Sequence, residues 1–99
     1  MKIIAIEKEA AGSSPEKFEP FLKQEARTLW QLMQNGIVRE AYFTAEDHSA
    51  VLILECTDKN EAEEYLSRLP LVKEKLICFE LHTLKPYDGF ARLFDDGKE

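Results

Sequence analysis

The spacing of apolar residues changes along the chain from a period of two to a helical period and back again, twice. Short apolar runs rich in β-branched residues predict four β-strands, at residues 2–8, 37–44, 50–56 and 76–84. The two segments with helical spacing follow the first and the third of these strands. The predicted order is therefore strand, helix, strand, strand, helix, strand, which is the α+β, ferredoxin-like βαββαβ arrangement around an antiparallel sheet.

Both predicted helices have recognisable start and stop signals. Ser14 is a suitable N-cap for a first helix that begins at the following proline and ends near Gly36, where glycine can adopt the left-handed conformation. Thr57 or Asp58 can cap the second helix, which Pro70 is expected to end. The apolar stripe of the first helix is predicted to contain Phe18, Leu22, Ala26, Leu29 and Met33, and that of the second Ala62, Tyr65, Leu66 and Leu69.

Apolar side chains are expected on both faces of this sheet. In the run from Val51 to Leu54 every residue is apolar, although successive side chains of a strand point to opposite faces. Two helices can cover only one face, and the other would leave an apolar patch larger than a soluble monomer usually exposes. We therefore predict a homodimer in which two sheets pack face to face as a dimeric α+β barrel. The alternative is a monomer whose tail folds under its own sheet.

The last strand combines apolar and polar positions. Ile77, Phe79 and Leu81 suit the face beneath the helices, so Cys78, Glu80 and His82 are expected on the opposite face. A carboxylate buried there would need a partner or a proton. Glu80 is thus predicted to lie either at a solvated edge or in a polar cavity between the sheets.

The chain is predicted to form one barrel domain, residues 1–84, followed by a tail, residues 85–99. Phe90, Leu93 and Phe94 would share one side of a helical turn, so residues 85–94 are expected to pack on the barrel or on the partner subunit. Residues 95–99 are expected to be disordered.

Composition narrows the choice of partners. The chain has 99 residues and a formal net charge of -6, which argues against nucleic acid and against anionic membrane surfaces as partners. No segment approaches the roughly 20 apolar residues of a membrane span, and the apolar run near the start is too short for a signal peptide. These features predict a cytoplasmic protein with two reduced thiols. No ligand spacing predicts a metal site and no glycine-rich or nucleotide-binding motif predicts a cofactor.

Several short motifs resemble those of the dimeric α+β barrel superfamily, and within it the small muconolactone isomerase-like proteins. The similar positions are "LPL" at 69–71, the strand "FELHTL" at 79–84 with Glu80, Glu25 on the first helix, and Gly36 followed by Arg39. The segment after "LPL" is longer than in those isomerases, and the ending "KPYDGFARLF" differs from theirs.

The resemblance implies a cofactor-free isomerase that moves a proton within a small cyclic oxygenated organic acid. Such chemistry needs a base that takes and returns the proton, together with groups that stabilise the enolate. Glu80 or Glu25 would be the base and His82 a proton shuttle, whereas Arg39 would bind a substrate carboxylate and Tyr42 would donate to an oxyanion. Each of these side chains also has a purely structural explanation, as a solvated boundary residue, an ion pair or a half-buried strand residue.

Two further functions are compatible with the same fold. One is a non-catalytic homodimeric ligand-binding or stress-associated protein, and the other is a cofactor-free monooxygenase. Arg39 and Tyr42 differ by an odd number of positions, so both can face one cavity only if the strand contains a bulge.

Overall fold

In the computed structural model, which describes residues 1–94, four strands form a single antiparallel sheet. They are β1 (Lys2–Glu9), β2 (Val38–Phe43), β3 (Ala50–Glu55) and β4 (Ile77–Leu84), and their spatial order is β2-β3-β1-β4. Adjacent strands pair in antiparallel register throughout. The α+β, ferredoxin-like βαββαβ fold predicted from the sequence is thereby confirmed. The predicted disorder at 95–99 lies outside the described residues.

The first helical segment is interrupted, which corrects the prediction of one continuous helix. It consists of α1 (Pro15–Phe18), a 3-10 turn (Glu19–Phe21) and α2 (Leu22–Gln34). Pro20 lies in the turn, and because proline has no amide hydrogen the α-helical bonding cannot continue through it. Leu32, rather than Met33, is the fully buried residue of α2.

The second helical segment also has two parts, α3 (Lys59–Leu66) and α4 (Pro70–Lys73). Asp58 caps α3 by accepting a hydrogen bond from the Glu61 amide at 2.8 Å. Pro70 is the first residue of α4, so its predicted role of ending a helix is wrong; it begins one, at the position where a missing amide hydrogen is tolerated. No helix within residues 1–94 is long and apolar enough to cross a membrane.

The core lies between the sheet and these helices. In the strands, its fully or nearly fully buried members occupy alternate positions, as expected for one face of a sheet. They pack against α2, α3 and the segment between α3 and α4. These core residues are Ile3, Ala5, Leu32, Val38, Leu52, Leu54, Cys56, Ala62, Leu66, Leu69 and Leu81.

The opposite face of the sheet, which we call the open face, carries an apolar centre, and no helix within residues 1–94 covers it. Its four central residues are only partly buried: Ile4, Ile6, Val51 and Ile53. The register places them in two rows across the sheet, Tyr42-Val51-Ile6-Glu80 and Glu40-Ile53-Ile4-His82. Polar side chains on the two outer strands therefore border an apolar centre on the two inner strands.

The segment after β4 leaves the body of the domain as an arm. Gly89–Phe94 forms a 3-10 helix, and within it Leu93 and Phe94 are 75% and 82% exposed. The Cα radius of gyration is 16.9 Å, compared with about 13 Å for a compact domain of this length. The arm does not pack on its own barrel in the single chain, so the predicted packing on a partner subunit stays a prediction.

Candidate functional site

A cavity of about 500 Å3 lies on the helix-facing side of the sheet, at the end where β2 and β3 are joined. Its walls are mostly apolar and come from α1, α2, the start of α4 and all four strands. The apolar lining residues are Pro15, Phe18, Leu22, Ala26, Leu29, Phe43, Ala50, Leu52, Leu69, Leu71, Ile77 and Phe79. A concave, largely apolar site with a few polar groups is the usual form of a small-molecule site.

Glu25 places a carboxylate in this apolar lining because of its position on α2. It lies three residues after Leu22 and four before Leu29, so all three share one side of the helix. Its Oε1 atom accepts a hydrogen bond from the Leu71 amide at 2.9 Å. Leu71 is the second residue of α4 and follows Pro70, so its amide is the first hydrogen-bond donor that this helix start offers. Glu25 thus connects α2 to the "LPL" segment.

The environment of Glu25 raises the pKa of its carboxyl group above the ordinary value of 4.5. Burial is the largest cause, because the apolar surroundings disfavour the charged form. The hydrogen bond from Leu71 acts in the opposite direction, and the nearby charge of Glu7 raises the pKa further. A carboxyl group that lies in a cleft and whose pKa is raised towards neutral pH is a candidate for proton transfer.

Glu7 and Glu9 were not among the predicted site residues, although both line the cavity. On β1 they continue the alternation of Ile3 and Ala5, so they belong to the helix-facing side. Glu7 is fixed there by a hydrogen bond from the Ala50 amide to its Oε1 at 2.7 Å. The sequence signal that could have identified these two residues is this alternation, in which carboxylates follow buried residues on the same face of a strand.

The hairpin loop between β2 and β3 forms one rim of the cavity. The His48 ring stacks on Phe43 with the ring centroids 3.8 Å apart, and both side chains line the cavity. His48 has a positive φ of 54°, and the loop is closed by hydrogen bonds of Thr44 with the amides of His48 and Ser49. The His48 side chain is exposed, and it also contributes to the lining of the cavity.

Glu80 and His82 lie together on the open face, away from this cavity. Their side chains, each about half exposed, are joined by a 2.8 Å contact between Glu80 Oε1 and His82 Nε2. This contact, with a contribution from Lys8, lowers the pKa of the Glu80 carboxyl group. Of the two environments predicted for Glu80, the single chain shows the solvated edge of the sheet.

Tyr42 and Arg39 take separate positions on β2. The Tyr42 hydroxyl donates to the Glu40 carboxylate at 2.5 Å, and this interaction raises the pKa of the Tyr42 phenol. The ladder contains an irregularity between Val38 and Glu40, so Arg39 is the extra, unpaired residue of a β-bulge. Its Nε atom donates to the Gly36 carbonyl at 2.6 Å.

Of the five predicted site residues, the structure brings Glu25 alone to the helix-side cavity. It places Glu80 beside His82, and it leaves Tyr42 and Arg39 elsewhere on the sheet. The catalytic and binding roles assigned to these residues from the sequence stay predictions. Within residues 1–94 no three His, Cys, Asp or Glu side chains are grouped closely enough to hold a metal ion.

Solved structures with the same fold include two enzymes. The chain superposes on muconolactone isomerase with a TM-score of 0.71 and 17% identity, covering 89% of this chain and 92% of that one. It superposes on the 5-chloro-2-hydroxyhydroquinone dehydrochlorinase of Burkholderia phenoliruptrix AC1100, in complex with 2,5-dihydroxybenzoquinone, with a TM-score of 0.68 and 16% identity, covering 90% and 98%. Neither a protein-family model nor a curated protein matches the sequence.

These superpositions confirm the predicted resemblance to the muconolactone isomerase-like, dimeric α+β barrel proteins at the level of fold. They extend over nearly the whole of each chain, so the resemblance is not confined to one motif. At 16–17% identity they define the architecture of this chain, and its chemistry has to be argued from its own side chains.

Proposed function

We propose that the chain is a cofactor-independent isomerase-like enzyme that moves a proton within small cyclic oxygenated organic molecules. The substrate would bind in the helix-side cavity and Glu25 would be the general acid-base group. The observation that carries this proposal is a carboxyl group of raised pKa in the wall of a cavity of about 500 Å3 that is otherwise largely apolar. Glu25 is preferred to Glu80 as the base, because Glu80 lies on the other face of the sheet and its contact with His82 lowers the pKa of its carboxyl group.

The proposed reaction needs only the transfer of one proton. The Glu25 carboxylate removes a proton from a ring carbon next to a carbonyl group, and the electron pair of the broken C–H bond becomes part of an enolate. The same carboxyl group then returns the proton to a different carbon of the conjugated system, which moves the double bond. The substrate is isomerised without gain or loss of electrons, and Glu25 ends in its starting state.

The developing enolate oxygen needs a hydrogen-bond donor. Among the cavity-lining side chains of residues 1–94, His48 is the one that carries an N–H group. Its stacking on Phe43 holds the ring at the rim of the cavity. We assign His48 this role in the proposed reaction, in place of the predicted donor Tyr42, whose hydroxyl is engaged by Glu40.

The proposal includes a homodimer formed through the open face. No helix within the described part of the chain, residues 1–94, covers the apolar centre of that face, and packing against a second copy would remove it from water. The arm supplies further apolar surface, since Tyr87 and Phe90 stack edge to face with centroids 4.8 Å apart and remain exposed. Both features support a partner subunit of the same kind.

Deuterium exchange into a neutral unsaturated lactone tests the proton-transfer activity. The probe 5-methyl-2(3H)-furanone is incubated with the protein in D2O, and both exchange and movement of its double bond are followed by proton NMR. The wild type is expected to accelerate both above the buffer rate, and Glu25→Gln to reduce the acceleration by about a hundredfold or more. Glu80→Gln is the matched control and is expected to retain the wild-type rate.

The rival function, a non-catalytic ligand-binding protein, makes a different prediction in the same experiment. The probe would then broaden or shift resonances of the protein, while exchange stayed at the buffer rate in every variant. Equal exchange rates for the wild type and Glu25→Gln would refute the assignment of Glu25 as the base.

A further inference from the structure

We infer that the helix-side cavity selects ring compounds without a negative charge and disfavours carboxylates. This inference rests on the proposed function and narrows its substrate class. It departs from the sequence-based expectation of an organic acid bound through Arg39. Arg39 does not line the cavity, and its Nε atom is hydrogen-bonded to the Gly36 carbonyl.

The charged groups around the cavity are almost all of one sign. The lining includes five carboxyl groups, from Glu7, Glu9, Glu19, Glu25 and Asp47. No Lys or Arg side chain within residues 1–94 is part of it. The remaining ionisable group of the lining is the imidazole of His48.

An anionic ligand would be disfavoured here for two reasons. Transfer of its carboxylate from water into largely apolar walls is costly unless a cation or several donors replace the lost hydration. The acidic side chains would also repel it, and this repulsion is less screened in a cavity than on the open surface. Glu7 is held in the wall by the Ala50 amide, so its charge is fixed in position.

An uncharged ring with hydroxyl or carbonyl groups fits the same surroundings. The apolar walls would bury its carbon atoms, and carboxylate oxygens can accept hydrogen bonds from its hydroxyl groups. His48 can donate to a carbonyl oxygen. Glu25 can do so too in its protonated form, which burial favours.

A matched pair of ligands tests the inference. One is a butenolide with a carboxymethyl substituent, and the other is the corresponding primary amide, which has nearly the same shape and no charge. Dissociation constants are measured at pH 7 by titration of protein NMR shifts. We expect the amide to bind the wild type at least tenfold more tightly than the acid.

Variants that remove charge test whether a preference for the amide over the acid arises in the cavity. In the double variant Glu7→Gln/Glu9→Gln the ratio of the two dissociation constants is expected to fall severalfold. Glu64→Gln, an exposed change of charge on α3 outside the lining, is the control and is expected to keep the wild-type ratio. A ratio that falls equally in both would show an effect of net charge and would overturn the inference.

Binding and exchange together separate this inference from the proposed function. If the amide binds preferentially but undergoes no proton exchange, the charge selection stands and the isomerase function fails. If both ligands exchange and the acid binds as tightly as the amide, the function stands and the charge selection is overturned. If neither ligand binds, the charge selection is overturned as well.

Discussion

At the scale of single residues, Glu25 combines a structural and a proposed chemical role. Its Oε1 atom accepts a hydrogen bond from the Leu71 amide at the start of α4. The side chains of Pro70 and of the N-cap residue Leu69 offer no acceptor for this amide. The same carboxyl group lies in the cavity wall with a raised pKa. A substitution that keeps a hydrogen-bond acceptor for Leu71 but removes the titratable carboxyl group can separate the two roles.

We expect Glu25→Gln to unfold at nearly the same urea concentration as the wild type at acidic pH, where Glu25 is protonated, because the amide oxygen can still accept from Leu71. Glu25→Ala removes the acceptor and should be less stable than Glu25→Gln by about 1–2 kcal/mol. Equilibrium urea unfolding followed by circular dichroism measures the difference. Equal stabilities of the Gln and Ala variants would show that the hydrogen bond contributes nothing.

Titration of Glu25 should make stability depend on pH in a defined direction. Its pKa is raised in the folded protein, so the folded state binds the proton more tightly than the unfolded chain does. The resulting stabilisation is fully present below the unfolded value, near 4.5, and is lost as the pH rises through the higher folded pKa. Relative to Glu25→Gln, the wild type should lose stability over that interval. Urea unfolding of both proteins from pH 4 to pH 8 checks this, and a difference that grows in the opposite direction would contradict it.

The sequence identified Glu25 but not its neighbours in the cavity. Glu25 could be singled out because it lies beside the apolar stripe of a helix. His48 carries no such signal, since a histidine in a hairpin loop is usually solvated. For Glu7 the alternation along β1 indicates the face of the sheet but not a cavity. Their place in the wall depends on how α2 lies across the end of the sheet.

At the scale of elements, the prediction succeeded for strands and was less accurate for helices. The four strands differ from their predicted bounds by one residue or less at each end, because β-branched runs and alternation are local signals. The division between α1 and α2 was not predicted, although Pro20 in the sequence could have indicated it. The sequence did not indicate that Leu32 rather than Met33 would be buried, because that depends on how the helix is rotated against the sheet.

Gly36 ends α2 with a positive φ of 76°, which makes it sensitive to substitution. Gly36→Ala should destabilise the fold by about 1 kcal/mol, owing to the strain of an L-residue in the left-handed region. Steric overlap is not expected, because an added Cβ would find its nearest neighbour, Arg39 Nε, at 3.9 Å. Gly36→Asn is the control and should cost less, since asparagine tolerates this conformation. Thermal unfolding of the three proteins tests the order, and an alanine variant as stable as the wild type would refute it.

At the scale of the whole molecule, the two faces of the sheet differ in what covers them. The helix-facing side holds both the core and the cavity, whereas the open face carries partly buried aliphatic residues without a helix above them. The sequence predicted the apolar character of both faces. It could not predict the position of the cavity, because the apolar pattern of a strand is the same whether the helices above it pack closely or leave a space.

A charge at the centre of the open face should prevent the proposed dimer. Ile53 pairs with Ile4 on β1 and with Glu40 on β2, so Ile53→Lys would bury an ammonium group between the sheets. Sedimentation velocity should show two-subunit particles for the wild type and single subunits for the variant, with at least a hundredfold weaker association. Circular dichroism establishes that the variant is folded.

Gln31→Lys on the exposed surface of α2 adds the same charge away from the open face and is the matched control. It is expected to associate like the wild type. A wild type that sediments as one subunit at high concentration would remove the dimer from the proposal, and dissociation of the control would point to net charge as the cause.

The hydrogen bond between Glu25 and Leu71 has a consequence for efforts to redesign this protein. It makes the "LPL" segment an anchor whose strength varies with the protonation of Glu25, so exchanges of residues 69–71 would disturb the proposed acid-base group. The loop at residues 44–49 is closed by bonds among its own members and is independent of that anchor. Libraries that seek new ligand preferences should therefore vary the loop residues other than His48 and leave the "LPL" segment unchanged.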